Sequence, residues 1–176
     1  LDSFGDDRPL LKHLLAALAW ARGPGLPRQG VWLPIAQCLA SVEGLDGTQI
    51  EGKHVQDVLE RFGGYIIEDV DADGSSVYRP FHDLFAAYLQ DCPSDDRIET
   101  DGEWQKHRRK VNAAIVDALV GSISRGGEPD WLQAPEYVRR YLAQHAVDAG
   151  TETFADLVAD IDFLADKFLA VDHLEF

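Results

Sequence analysis

Apolar residues recur first at helical spacing. Leu11, Leu14, Leu15, Leu18 and Ala19 share one face, which predicts a helix from Arg8 to Arg22, with Pro9 tolerated in a first turn where a missing N–H is no loss. Gly23-Pro24-Gly25 ends it. A second helix begins near Gly30, carries Trp32, Ile35, Ala36, Leu39 and Val42, and stops at Gly44. A third follows Asp46-Gly47-Thr48, carries Val55, Val58, Leu59 and Phe62, and ends at Gly63-Gly64. Then the pattern shortens. Tyr65-Ile66-Ile67 and Val77-Tyr78 flank a turn-rich Asp69 to Ser76 segment, which predicts a hairpin with its tip near Asp73-Gly74.

Three helices, a hairpin and a further helix make a winged-helix order. The acidic, proline-interrupted stretch from Asp91 to Gly102 places a domain boundary, so a winged-helix domain (1–94) and a helical, repeat-like domain (95–176) are expected as two lobes. Thr100 and Glu103 form a capping box for a helix running to about Val120, with Trp104, Val111, Ile115, Ala118 and Leu119 inward. A glycine-rich loop, Gly121 to Gly127, follows. Pro135 opens and Gly150 closes the next helix, and two short ones hold Phe154, Leu157, Val158, Ile161, Phe163, Leu164 and Phe168. The fold class is therefore mainly α with a small β-hairpin. Only helices are expected after Thr100, and a second sheet there would contradict the reading.

The stretch Tyr78 to Leu89 joins the hairpin to a helix. Phe81, Leu84, Phe85, Tyr88 and Leu89 give that helix a continuous apolar face, expected to pack on the core. His82-Asp83 stands at its start, where unpaired N–H groups suit a phosphate and an imidazole adds a donor. The alternative is a histidine that only satisfies a neighbouring carbonyl.

Charge narrows the choice of partners. The net charge is −15, with 31 acidic against 16 basic residues among 176, so the averaged field repels nucleic acid and anionic lipid. Neither a membrane span nor a secretory signal is legible, which makes the cytoplasm the expected location. Cys38 and Cys92 make no disulfide framework. His13, His54, His82, His107, His145 and His173 lack zinc-ligand spacings. Asp69, Asp71, Asp73 and Gly74 match the first half of a calcium loop, but Pro80 stands where a bidentate glutamate is required. An acidic hairpin tip is the better account. The basic run Lys106-His107-Arg108-Arg109-Lys110 points in several directions on a helix and reads as a solvated or ion-paired face. No phosphate loop or nucleophile motif is present, so this chain is not expected to be an enzyme or to hold a cofactor or metal by itself.

Phe81-His82-Asp83 with its aromatic helix resembles the Met-His-Asp-type motif that closes the winged helix of signal-transducing multidomain NTPases, the STAND class containing NACHT and NB-ARC switch proteins; Phe81 replaces the methionine. Leu15 to Ala36 is similar to the helix pair after the nucleotide-binding core in bacterial members. Tyr137 to Gly150 with the following FADLVADIDFL is similar to the helical segment leading to a C-terminal repeat sensor. The resemblance implies a regulatory module of an ATPase parent. His82 would contact the β-phosphate of ADP, with Asp83 orienting it. The partners would be an N-terminal nucleotide-binding core and a C-terminal sensor of the same chain, with oligomerisation on activation, and no nucleic acid or membrane. Absence of methionine and the abrupt start at Leu1 fit a piece of a longer protein. The competing reading is a stand-alone winged-helix adaptor for protein or DNA whose helical half dimerises.

Overall fold

A computed structural model describes residues 8–45, 49–91 and 101–171. Thr100 of the capping box, Cys92 and His173 lie outside the described residues. Helix α1 (Arg8–Ala19) is followed by strand β1 (Leu26–Pro27), helices α2 (Trp32–Val42) and α3 (Gly52–Phe62), strands β2 (Ile66–Val70) and β3 (Ser76–Pro80), and helix α4 (Asp83–Asp91). Leu11 and every residue from His13 to Trp20 are buried, because α2, α3, α4 and β3 all pack around α1. A helix apolar nearly all round needs such a central place. Its five-residue periodic face understated this, since Ala16 and Ala17 bury as completely as the leucines.

The three-stranded antiparallel sheet has the order β1-β3-β2. Helix–strand–helix–helix–strand–strand, with the first strand beside the last, is winged-helix topology. β1 pairs Leu26 with Tyr78 and Pro27 with Val77. The approach requires Gly25, at φ 146°, where a Cβ would lie 2.6 Å from the Tyr78 carbonyl oxygen. Two residues ending in proline carry no alternation, so periodicity missed this strand. The hairpin tip is where the turn residues put it: Gly74 adopts φ 84° and its N–H donates to the Asp71 carbonyl at 2.9 Å. Beneath the sheet Trp32 lies 5.5 Å from the Tyr78 ring and donates its Nε1–H to the Leu14 carbonyl at 2.8 Å.

Helix α5 (Asp101–Ile123) lies between α2 and α6 (Glu136–Ala149), and α7 (Thr151–Ala159) and α8 (Ile161–Val171) follow. One expectation fails here. Strands β4 (Ser124–Arg125) and β5 (Glu128–Pro129) form a second, two-stranded sheet, so the region after Thr100 is not only helical. The turn uses Gly126 and Gly127 at φ 65° and 98°. The ladder is two residues long and carries no buried apolar side chain, so no period of two existed to be read. Pro135 and Gly150 do bound α6. The hydrophobic core is continuous across the acidic segment: Val111, Ile115 and Leu119 of α5 belong to one cluster with Ile35 and Leu39 of α2. No helix among the described residues is long and apolar enough to cross a membrane.

Candidate functional site

His82 is the N-cap of α4. Its carbonyl accepts from the N–H groups of Phe85 and Ala86, both at 3.0 Å, and its Nδ1 accepts from the Leu84 N–H at 3.0 Å. A ring nitrogen that accepts carries no proton, so the neutral imidazole has its hydrogen on Nε2. The side chain is exposed. It therefore satisfies an amide, not a carbonyl, and leaves the Nε2–H donor of an exposed ring beside a helix N-terminus. The ring is oriented by the Leu84 amide, and no hydrogen bond joins it to the Asp83 carboxylate. Asp83 acts instead as a negative charge in the first turn, favourable to the helix dipole.

The apolar face of α4 packs on the core only through Leu89, less than its periodicity implied. Leu84, Tyr88 and Phe81 are 75%, 64% and 46% exposed. Phe85 and Leu89 are half-buried, and only Leu89 reaches the core. α4 is held to α1 partly by a polar contact, Gln90 Nε2 donating to the Ala19 carbonyl at 2.6 Å. Periodicity shows that a face is apolar without showing what covers it. Tyr65, 52% exposed, lies 5.8 Å from both Phe81 and Phe85, and Phe81 lies 5.9 Å from the His82 ring. An aromatic patch thus borders the capping histidine.

The other charged motifs are engaged with neighbours in the fold. Asp69, Asp71 and Asp73 accept from the N–H groups of Val70, Ala72 and Ser75 at 2.8, 2.7 and 2.8 Å. Asp71 also meets Arg140 of α6 at 3.6 Å. Turned onto their own backbone, these carboxylates do not converge, and no group among the described residues is arranged to hold a metal ion. In the basic run, Lys110 reaches the Val42 carbonyl while His107 stacks on Trp104 with ring centroids 5.7 Å apart. On α3, Lys53 pairs with Glu51 at 2.9 Å, leaving no excess of positive charge on the helix that a DNA-binding winged helix would present.

Two buried clusters went unread in the sequence. His13, fully buried, lies 3.2 Å from Glu43, and this hydrogen bond, with Lys12 beside it, holds the Glu43 carboxyl down at about 2. Between the halves, Arg22 N–H donates to the Tyr137 hydroxyl at 3.0 Å, that hydroxyl meets His145 Nε2 at 3.0 Å, and His145 Nδ1 meets Asn112 Oδ1 at 2.8 Å. Arg22 also pairs with Asp148 and reaches Asn112 Oδ1 at 3.4 Å. Burial, reinforced by Arg22, pulls the His145 imidazole down to about 3, and burial pushes the Tyr137 phenol up. Tyr137 and His145 share α6 eight residues apart, but the other partners are separated by 30 to 126 residues and leave no local spacing to detect. Comparison with protein-family models, curated proteins and solved structures gives no match for this chain.

Proposed function

We propose that this chain is the winged-helix and helical-linker region of a STAND-class NTPase, a regulatory module that contacts ADP through His82 and couples the nucleotide core to a C-terminal sensor. The observation that carries it is the capping geometry of His82. With Nδ1 committed to Leu84, the exposed ring keeps its Nε2–H donor beside the N-terminus of α4, where an anionic oxygen would gain both a donor and the helix dipole. The bordering patch of Tyr65, Phe81, Leu84 and Tyr88 supplies apolar surface for the nucleotide-binding core to cover. A charge-assisted bond to phosphate contributes about 1.5–3 kcal/mol, enough to move a closed-to-open ratio more than tenfold. The chain itself has no phosphate loop, and in this reading it binds nucleotide weakly and hydrolyses none.

The test is His82→Ala in the intact parent. Faster ADP release and signalling without stimulus are the expected results. Unchanged ADP release would end the proposal, leaving a loss of about 1 kcal/mol of stability from the missing cap. Micromolar ADP binding by this chain alone would place the site elsewhere. Salt-dependent binding to duplex DNA would favour the adaptor reading.

A further inference from the structure

We infer that the Arg22–Tyr137–His145–Asn112 hydrogen-bond chain is an acid-released latch that holds α6 against the end of α1 and against α5. Its direction is fixed by groups that have no choice. Asn112 Nδ2 donates at 2.9 Å to the Arg108 carbonyl, which only accepts, so Asn112 Oδ1 is the atom facing His145. An amide oxygen only accepts; His145 Nδ1 must therefore donate. In a neutral ring this makes Nε2 the acceptor for the Tyr137 O–H, and the Tyr137 oxygen in turn accepts the Arg22 N–H. One proton position satisfies His145, Tyr137 and Asn112 together.

A second proton on His145 breaks this order. Nε2–H would then face the Tyr137 oxygen, and the Tyr137 O–H would lose the acceptor it now has. The charges around the ring do not help. From the segment after α1 comes Arg22, a cation whose carboxylate, Asp148, it already holds. α5 offers neutral Asn112 and the Arg108 carbonyl, its own His107 being stacked towards Trp20 and Trp104. α6 offers the phenols of Tyr137 and Tyr141, and α7 contributes apolar Leu157 to the core. Among the described residues, no carboxylate is hydrogen-bonded to the imidazole. His145 and Asn112 are both fully buried, so water cannot take over the lost bonds without opening the interface.

Burial holds the ring neutral well below its ordinary range, so the closed latch binds one proton fewer than the open form between about pH 6.5 and 3. Opening should then grow about tenfold for each pH unit within that window. Hydrogen exchange of the full chain, corrected for intrinsic rates, measures this. Between pH 7 and 5, protection in α6 is expected to fall more than tenfold while α1 and α2 keep most of theirs. His145→Gln is expected to flatten the dependence. Should that variant fail to fold, Asn112→Asp sets a carboxylate on Nδ1–H and favours the imidazolium in the closed form, so the window narrows and acid should release α6 less. Protection of α6 independent of pH, equal loss from every helix, or an unaltered profile in the variants would overturn the latch.

Discussion

Single side chains in this protein are governed by what they are paired with. Glu43 is the clearest case: its carboxyl sits at about 2 because of the His13 hydrogen bond and of Lys12 at 3.0 Å. A carboxyl depressed in the folded state contributes stability that is complete above its unfolded value near 4.5 and is lost as pH falls through about 2. The carboxylate is 38% exposed, so solvent screens the pair and Glu43→Gln is expected to lower stability at pH 7 by no more than about 1 kcal/mol. Urea unfolding at pH 7 and at pH 3 should show the difference between wild type and variant shrinking in acid. Cys38 behaves differently. Burial, with Asp117 nearby, pushes its thiol up to about 12, so a thiol reagent at pH 8 should leave it unmodified until the protein is denatured. The sequence showed that neither cysteine nor histidine spacing formed a metal set. It did not show that His13 and His145 were buried, because helical periodicity records apolar neighbours and both histidines lie among them.

At the level of elements, helices were legible and short strands were not. α2 and α6 stand close to where their apolar positions, prolines and glycines put them, since many residues contribute to each period. β1, β4 and β5 hold two residues apiece and are set by pairing partners elsewhere in the chain or by a glycine turn. Their dependence on backbone geometry gives a sharp contrast between two glycines. Gly25→Ala meets the Tyr78 backbone at an unfavourable φ and is expected to cost about 2–4 kcal/mol, detaching β1 from the sheet. Gly121→Ala in α5 has open space around the added methyl and is expected to add about 0.5–1 kcal/mol. Thermal unfolding of the two variants should move in opposite directions.

Across the whole molecule, the order of elements was readable and their mutual burial was only partly so. The winged-helix sequence of elements and the mainly helical composition followed from spacing, whereas the covering of α4 did not. Leu84 and Tyr88 have the same period as core residues and differ only in lacking a neighbour. Replacing both with serine is therefore expected to change the unfolding midpoint little, within about 0.5 kcal/mol, because surface away from caps and cores contributes little. A large loss of stability would mean that the face is packed in solution. For the candidate site, the sequence located His82 at a helix start. Only coordinates reveal which nitrogen caps the helix and which donor remains.

The ties of Arg22 to Asp148 also set an order of events during synthesis. These partners are 126 residues apart, so a ribosome adding about 5–20 residues per second needs roughly 6–25 s between delivering one and delivering the other. For that interval the end of α1 exists without its later companions, and Trp20, the neighbour of Trp104, waits as well. The first half of the nascent chain must therefore emerge with a raw apolar flank. Chaperone capture of stalled chains should fall once α6 has cleared the exit tunnel.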